Sequence, residues 1–525
     1  MSGLTVKVKQ GSIRGTTGTN LDGDTFYKFL GIPYAKPPVG PLRFKAPQPA
    51  ESWEGTRDCT HDGNQCVQKI FGIKTIGSED CLYLNVHVKD LSTKAKPVMV
   101  FIHGGAFIMG NGTQEMCGPE YLMTQDIVLV TLNYRLGLFG FLSLEDTSLE
   151  VPGNAGLKDQ ALGLKWVHEN ISSFNGDPNN TTIFGVSAGG ASVQFQLLCS
   201  SNKGLFQKAI VQSGSVFDPW AWGQRNVLQV AEKLGLNAAN EKEALKVLME
   251  AKTEELLSAA YEISDDLLTV SKRRPFGPII EKPNSTAFLT EDPKVLIASG
   301  RYNQVPLIQG ICSNEGHLME LMHVLNSAIT FNKEGSLVPW HLQAKGKGTT
   351  WAEKVKNYYY QNQDPEAEHT HLSDVGFVAG TIYSMKLLLG SISQPVYFYL
   401  FDYETDCIKA FKKGIKLDGS PGVGHGQDNC YIFSTKMFAG PSPPLTDEDK
   451  RAIKTMVKIW TDFAKNGNPL SLWEPLEKGK ELRYLKIDRE LKMQEGLFPE
   501  RVRFWEQLYE EAGGVDLFAH ENGGS

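Results

Sequence analysis

The chain of 525 residues is mildly acidic, with 53 Lys and Arg against 60 Asp and Glu and a formal net charge of −7. This balance excludes the strongly basic surface with which proteins bind nucleic acids or anionic membranes. Apolar residues make up 41% and charged residues 22% of the chain, which is typical of a globular protein with a large core. No apolar run approaches the roughly 18 residues that a membrane span needs. We therefore predict no nucleic-acid partner and no transmembrane segment.

The first fifteen residues alternate like a strand and lack the apolar segment of a signal peptide. Eight cysteines in a chain of this length do not indicate a disulfide scaffold. Cys66 and Cys81 could close one loop, and Cys59 is a competing partner. These features predict a cytoplasmic protein, with a secreted protein whose leader is missing as the alternative.

Short apolar runs, Gly-rich turns and helical patterns alternate along the chain. KPVMVFIHGGAF (96–107) predicts a buried strand that ends in a glycine loop, because its apolar run is continuous, and DIVLVTLNYRLG (126–137) predicts a second strand. A helical pattern over 154–174 precedes a third strand, TTIFGV (181–186), and a helix over 188–198 follows that strand. The alternation continues with FQKAIVQSGS (206–215), NQVPLIQGICSNEG (303–316) and QPVYFYLFDYE (394–404).

Strands that alternate with helices indicate a mostly parallel sheet with helices on both faces. We therefore predict a single α/β domain over residues 1–525. The ranges 224–265 and 317–390 have a helical and charged pattern, and we interpret them as insertions within this domain.

The sequence GVSAG at 185–189 falls where a predicted strand ends and a helix begins. A tight turn at this place lifts a serine hydroxyl above the sheet edge, so Ser187 is the candidate nucleophile. A side chain at Gly185 or Gly189 would clash in such a turn. The N–H of Ala188, at the start of the helix, would be free to stabilise an oxyanion. The alternative is an ordinary Gly/Ser turn between strand and helix.

The sequence HGGAF at 103–107 lies after a strand and upstream of Ser187, as an oxyanion loop should. Gly105 and Ala106 are the candidate backbone donors, and Gly104 is expected to allow the bend. The alternative is a simple strand-to-loop turn. His103 precedes the nucleophile, so we interpret it as a structural, hydrogen-bonded histidine and not as a base.

A serine nucleophile needs a base and an acid, which follow it in the order acid, histidine in this architecture. Glu315 stands just past the end of an apolar strand, and His425 lies in the glycine-rich loop GSPGVGHGQDN (419–429). Either could instead be an ordinary loop residue. The other histidines after Ser187 are less well placed: His369 and His371 lie in an acidic stretch that predicts a solvated surface, His317, His323 and His341 in a helical insertion, and His520 in the tail.

Over almost its whole length the chain resembles the type-B carboxylesterase/cholinesterase family, and within it the insect α-esterase-like carboxylesterases. The stretches that carry the resemblance are FLGIPYAKPPVGPLRFKAP, SEDCLYLNV, FIHGGAF, NYRLGLFGFL, GNAGLKDQALGLKWVHENI, FGVSAGG, QSGS, SNEG and GVGHGQDN.

The resemblance implies an α/β-hydrolase fold whose helical insertions form a cap over an active-site gorge, with no metal or cofactor. It implies a triad of Ser187, Glu315 and His425, and an oxyanion hole from the amides of Gly105, Ala106 and Ala188. Ser213 matches a serine that hydrogen-bonds around the acid–base pair. Two structural ion pairs of the family match Arg43 with Glu79 and Arg135 with Asp159.

Departures from the family pattern limit the substrate. Cholinesterases carry a glutamate before the nucleophile and a tryptophan in the loop of the first disulfide, whereas this chain has Val186 and no tryptophan between Cys66 and Cys81. A quaternary ammonium substrate would therefore lack both its carboxylate partner and its cation–π partner in this protein. The glutamine of juvenile-hormone esterases before the serine is also absent. Ala106 replaces the usual third glycine, Asp428 replaces a glutamate, and the second family disulfide has no cysteines in 235–265.

We therefore predict a serine carboxylesterase that hydrolyses neutral, apolar esters (xenobiotic, lipid-like or semiochemical) through an acyl-enzyme on Ser187. We also expect organophosphates to phosphorylate this serine. The predicted partner is a small-molecule ester, and we expect a monomer or weak homo-oligomer. The alternatives are a sequestration protein with poor turnover and an inactive adhesion-type relative, which the intact triad disfavours. The aromatic residues predicted as pocket walls, each of which could instead belong to the core, are Trp220, Trp222, Phe276 and Phe377.

Overall fold

The structure is a computed structural model, which describes residues 4–70, 74–91, 94–263, 269–325, 337–435 and 444–513. Its strands are β1 (Thr5–Val8), β2 (Gly11–Arg14), β3 (Thr16–Thr19), β4 (Thr25–Pro33), β5 (Thr56–Asp58), β6 (Gln68–Ile70), β7 (Lys74–Ile76), β8 (Tyr83–Val88), β9 (Lys96–Ile102), β10 (Val128–Leu132), β11 (Gly176–Val186), β12 (Lys208–Gln212), β13 (Leu307–Cys312), β14 (Val396–Phe401), β15 (Arg483–Ile487) and β16 (Leu491–Glu495).

The helices flank this set of strands. They are α1 (Gly137–Phe141), α2 (Ala155–Asn170), α3 (Ala188–Leu198), α4 (Val227–Lys233), α5 (Glu241–Glu250), α6 (Thr253–Glu262), α7 (Pro293–Ala298), α8 (Leu318–Leu325), α9 (Trp340–Leu342), α10 (Gly348–Tyr360), α11 (Ala367–Ser373), α12 (Ala379–Ser391), α13 (Asp406–Gly414), α14 (Asp447–Asn466) and α15 (Pro499–Glu511). A π-helical turn, Asp374–Val378, joins α11 to α12.

Eleven of the strands form one sheet in the order β16-β15-β14-β13-β12-β11-β9-β10-β8-β4-β3. The pairs from β10 through β15 are parallel, and the pairs at both ends of the sheet are antiparallel. The mostly parallel central sheet predicted from the sequence is therefore confirmed. Parallel strands need crossover connections, and the helices between them supply these.

The central strands are apolar throughout because both faces of the sheet are covered. Along β9, Val98, Val100 and Ile102 belong to one core cluster, while Met99 and Phe101 belong to a second. This alternation places the two cores on opposite faces of the sheet, since successive side chains of a strand point in opposite directions.

The two ranges predicted as insertions differ in where they lie. Range 224–265 contains α4, α5 and α6, and range 317–390 contains the helices from α8 to α12; residues 264–265 and 326–336 lie outside the described residues. Of these two ranges, only the described residues of the second line the large pocket of the protein. The first range packs against the N-terminal part of the chain, where Arg43 donates to the carbonyls of Leu248, Met249 and Ala251.

One helical stretch among the described residues, Ala367–Ser391, is long and apolar enough to cross a membrane. Of its most apolar window, 72% is buried inside the protein. The core helix of a globular domain has the same property.

The scaffold contains the ion pairs and the disulfide considered from the sequence. Arg43 donates two hydrogen bonds to Glu79, of 2.6 and 2.8 Å. Arg135 donates to both oxygens of the buried Asp159, at 2.7 and 2.8 Å. Cys66 and Cys81 form a disulfide, and Cys59 is a buried free thiol.

Candidate active site

Ser187 lies on the turn between β11 and α3, at the carboxyl edge of the parallel strands. Its backbone φ of 61° is in the left-handed region, which a residue with a side chain adopts only at a cost. The turn is held from outside, because Ser187 N donates to the Gln212 carbonyl at 2.8 Å. A Cβ at Gly189 would lie 2.0 Å from the Ile102 carbonyl oxygen, and one at Gly185 would lie 2.6 Å from that same oxygen. The strand, elbow and helix therefore approach too closely for any side chain at either glycine.

The loop after β9 runs beside this elbow. A Cβ at Gly104 would lie 2.6 Å from the Val186 carbonyl oxygen and 3.0 Å from the Ser187 Cβ, so Gly104 permits close contact with the elbow. The bend assigned to Gly104 from the sequence begins instead at Gly105, whose φ is 112°, and continues through Ala106 at 55°. Within the described residues, the N–H groups of Gly105, Ala106 and Ala188 donate no hydrogen bond, so all three are available to a ligand.

Glu315 and His425, which are far apart in sequence, form a hydrogen-bonded pair. The Nδ1–H of His425 donates to Oε2 of Glu315 at 2.5 Å. The other carboxylate oxygen, Oε1, accepts from Ser213 Oγ at 2.6 Å and from Cys312 N at 2.7 Å. Glu315 is fully buried at the end of β13. Three donors therefore fix both oxygens of one carboxylate, and through it the orientation of the imidazole.

The second nitrogen of His425, Nε2, is buried and makes no hydrogen bond within the described part of the chain. His425 and Ser187 both line one pocket, which opens above the carboxyl edge of the sheet. Nucleophile–base contacts are often long in ligand-free enzymes and tighten when substrate binds. The unpaired Nε2 is in the state that a base requires before it accepts a proton.

The pocket that contains Ser187 and His425 encloses about 1270 Å³ of space not filled by atoms, its mouth included. Most of its wall is apolar, and no Asp or Glu of the described residues lines it. The apolar wall consists of Ile70, Phe101, Met109, Met116, Val186, Trp220, Val270, Leu318, Met319, Leu321, Met322 and Phe377.

Two of the four aromatic residues predicted as pocket walls line it. Phe377 packs against the His425 ring with a centroid distance of 4.3 Å, and Trp220 packs against Phe377. The prediction is wrong for Phe276 and Trp222, which are buried in the core and do not line the pocket. Trp222 donates its indole N–H to the Val216 carbonyl and packs edge-on against Phe195.

The pocket wall also contains polar residues that the sequence did not single out. Arg274 lines it, and burial lowers the pKa of this guanidinium to about 9. Gln68 is bound on both sides: its amide donates to the Gly110 carbonyl at 3.0 Å and accepts from Gly110 N at 2.8 Å. Gly110 in turn packs on His103 and Gly104, so Gln68 supports the oxyanion loop. Only its position two residues after Cys66 could have signalled this role.

Asp428 lies behind the triad in a fully buried position. Its Oδ2 accepts from Gln212 Nε2 at 3.0 Å and from the Tyr399 hydroxyl at 2.7 Å. Burial raises the pKa of this carboxyl. Because the Gln212 carbonyl also holds Ser187 N, Asp428 connects the histidine loop to the nucleophile turn.

His103, His369 and His371 are buried. His103 donates from Nδ1 to the Gly104 carbonyl at 2.8 Å and stacks on Tyr134, and burial lowers its pKa to about 4. The expectation that His369 and His371 lie on a solvated surface is wrong. Both are at least nine-tenths buried. The ring of His369 packs against His317 on the turn that carries Glu315. His371 lies between the Tyr360 hydroxyl, 2.9 Å from its Nδ1, and the Leu337 carbonyl, to which its Nε2–H donates at 2.9 Å.

The fold and the pocket together define an α/β-hydrolase with a serine at the nucleophile position. Residues 2–505 match the carboxylesterase family. The chain therefore belongs to the carboxylesterase family, and its activity class is carboxylic ester hydrolysis.

Curated relatives and solved structures agree with this assignment. The chain is 36% identical to a juvenile hormone esterase of Tribolium castaneum over 88% of this chain and 84% of that protein. It is 35% identical to a para-nitrobenzyl esterase of Bacillus subtilis over 88% of this chain and 90% of that protein. The crystal structure of juvenile hormone esterase from Manduca sexta, with OTFP covalently attached, has a TM-score of 0.86 and 31% identity, and covers 97% of this chain and 100% of that one.

Proposed function

We propose that the protein hydrolyses neutral, apolar carboxylic esters through an acyl-enzyme on Ser187, with His425 as the base and Glu315 as the acid that orients it. The observation that carries the proposal is the Glu315–His425 pair. Its carboxylate is fixed by three hydrogen bonds, and its free Nε2 lies in the same apolar pocket as Ser187.

In the first half-reaction, Ser187 Oγ attacks the ester carbonyl carbon, and its proton passes to His425 Nε2. The negative charge that develops on the carbonyl oxygen is stabilised by the N–H groups of Gly105, Ala106 and Ala188, each worth about 3 kcal/mol. The carbon–oxygen bond to the alcohol then breaks, and the alcohol leaves with the proton from Nε2. Glu315 stabilises the imidazolium and holds its Nδ1–H throughout.

In the second half-reaction, water attacks the acyl-enzyme carbonyl, and His425 Nε2 accepts the water proton. The tetrahedral intermediate uses the same three amides. Ser187 leaves with the proton from Nε2, and the carboxylic acid is released. Protons and charges return to their starting positions, so these residues account for the whole cycle.

The pocket chemistry supports neutral substrates. Val186 lies beside the nucleophile, and the only charged side chain among the described lining residues, besides the titratable histidines, is the guanidinium of Arg274. A cationic substrate would meet a like charge and no carboxylate, whereas an apolar ester would bury its surface against about a dozen apolar side chains. The names of the relatives specify dissimilar esters, so we define the substrate by this chemistry and not by one compound.

We also propose that organophosphates phosphorylate Ser187. The Oγ attacks the phosphorus, the leaving group departs, and the phosphoryl oxygen occupies the place of the oxyanion. The methyl group of Ala106, on a residue with a φ of 55°, lies in this loop and narrows the space for bulky phosphoryl groups.

The test is the time course of chromogenic ester hydrolysis by the wild type and by Ser187→Ala. We expect sustained turnover in the wild type and its loss in Ser187→Ala. The control Ser258→Ala, at a half-buried serine of α6 that does not line the pocket, should retain turnover. A burst equal to the enzyme concentration without a steady state would show stoichiometric sequestration instead. Turnover that survives Ser187→Ala would refute the mechanism.

A further inference from the structure

A cluster of imidazole and carboxylate groups lies behind the turn that carries Glu315, outside the pocket wall. His317 ends this turn, and Glu366 and His369 lie three residues apart at the start of α11. One donor atom from each of the three residues lies within 4.8 Å of the other two. The shortest separation, between Glu366 Oε2 and His369 Nδ1, is 3.1 Å.

Two imidazoles and one carboxylate are a donor set that Zn²⁺ and similar divalent transition metals prefer. A glutamate followed three residues later by a histidine puts both ligands on one helix face, as in carboxylate-bridged metal proteins.

The charges around the cluster favour a dication. Glu320 on α8 brings a second carboxylate, whose Oε1 is 3.4 Å from His369 Nε2. The nearby ammonium of Lys412 is held by Glu404 at 3.0 Å and by the carbonyls of Ser420 and Gly422. Two carboxylates, those of Glu366 and Glu320, therefore lie against the His369 imidazole, and the nearby ammonium is paired with a third carboxylate, that of Glu404.

The hydroxyl of Ser420 bridges two of the three residues, His317 and Glu366. Its Oγ lies 2.8 Å from His317 Nε2 and 2.8 Å from each carboxylate oxygen of Glu366. Ligand atoms in a tetrahedral zinc site are separated by about 3.4 Å, given metal–ligand distances of about 2.1 Å. The donors would need to approach by little more than an ångström, which the half-buried Glu366 side chain can provide by rotation.

We propose that His317, Glu366 and His369 bind a divalent transition-metal ion, with the Ser420 hydroxyl or a water molecule as the fourth ligand. The site would fasten α11 to the turn after Glu315. The His369 carbonyl already packs against Gly316, where a Cβ would lie 2.0 Å from it, and Gly316 N donates to Ser373 Oγ at 2.8 Å. A metal that binds the folded protein should therefore raise its melting temperature.

The experiment uses the full chain after chelator treatment, with Co²⁺ and Zn²⁺ as probes. We expect one equivalent of Co²⁺ to give the visible absorption of a low-coordinate nitrogen and oxygen site, and calorimetry to show one Zn²⁺ per chain. His369→Ala and Glu366→Gln should each weaken Zn²⁺ binding at least about 100-fold, because even residues outside the ligand set contribute 10–100-fold. His61→Ala, which removes an exposed imidazole, should bind as the wild type does.

Esterase turnover and the melting temperature of the metal-free variants show whether each is folded. Glu366→Gln is the second test if His369→Ala fails to fold, since the Glu366 side chain is partly exposed. The proposal is wrong if the wild type binds no stoichiometric metal. It is also wrong if folded Glu366→Gln or His369→Ala binds Zn²⁺ as tightly as the wild type, or if His61→Ala loses the site.

Discussion

Replacing Glu315 by glutamine should place a donor where His425 needs an acceptor. In the wild type, Oε1 accepts from Ser213 Oγ and Cys312 N, while Oε2 accepts from His425 Nδ1. The amide of Glu315→Gln has one oxygen, and two donors already require it at the Oε1 position. The amide NH₂ must then face Nδ1 of His425.

An NH₂ group facing Nδ1 stabilises the imidazole tautomer that carries its proton on Nε2. This tautomer cannot accept the proton of Ser187, so the change removes the base and also the charge that stabilises the imidazolium. We expect kcat to fall about 10⁴-fold, which corresponds to ~5.5 kcal/mol of transition-state stabilisation. The Michaelis constant should change little, because Glu315 is buried and lies outside the pocket wall.

The assay is steady-state hydrolysis of a p-nitrophenyl ester, with the melting temperature as a check on folding. Glu353→Gln, the same chemical change on the exposed face of α10, is the matched control and should retain full activity. If Glu315→Gln is folded and loses less than about tenfold in kcat, the amide is able to flip or the carboxylate is not required. Either result would refute the argument that Ser213 Oγ and Cys312 N fix the orientation of the amide.

Three further changes test other parts of the structure. Gln68→Met removes the hydrogen bonds to Gly110. We expect kcat to fall about 10–100-fold and the affinity for a trifluoromethyl ketone to fall in parallel. If both values are retained, Gln68 does not support the oxyanion loop. Val186→Glu puts a carboxylate beside the nucleophile. The ratio of kcat/KM for a choline ester to kcat/KM for its neutral carbon isostere should therefore rise about tenfold or more. An unchanged ratio would contradict the charge argument. His87 is fully buried without a hydrogen bond to a described residue, and burial lowers its pKa to about 3. In the unfolded chain this imidazole has a pKa near 6.5. Above that pH it is neutral in both states and does not change the free energy of unfolding. Below that pH the unfolded chain binds a proton that the folded protein does not, so the fold is progressively destabilised. By pH 4 this histidine lowers the free energy of unfolding by about 3 kcal/mol. His87→Phe should therefore reduce the decline of the free energy of unfolding between pH 6.5 and 4, as measured by urea titrations. An unchanged dependence of this free energy on pH would contradict the reasoning.

The local parts of the site could be predicted from the sequence because each depends on short-range geometry. GVSAG predicts its turn, since the two glycines and the change from strand to helix pattern are neighbours in the chain. HGGAF is equally local, yet the backbone shows that Gly105 and not Gly104 begins the bend. A run of two glycines identifies the loop but does not say which of them adopts a positive φ.

The walls of the pocket could be predicted only in part. Trp220, Trp222, Phe276 and Phe377 are all large and apolar, and all four are buried. Two of them line the pocket and two lie in the core, because hydrophobic pattern encodes burial and does not distinguish a packed interior from the wall of a cavity. Gln68 and Arg274 were missed for a related reason, since an isolated polar residue carries no periodic signal.

The sequence by itself determined the fold class, the order of nucleophile, acid and base, and the family, because these reside in strand–turn–helix patterns and in motifs of fewer than about twenty residues. Only the tertiary structure decided that Glu315 Oε2 accepts from His425 Nδ1, 110 positions away in the chain. It also decided which oxygen of Glu315 the other two donors bind, and that His317, Glu366 and His369 lie close together. These contacts depend on how crossover connections bring distant loops to one edge of the sheet, and no local pattern of residues specifies distances of that kind.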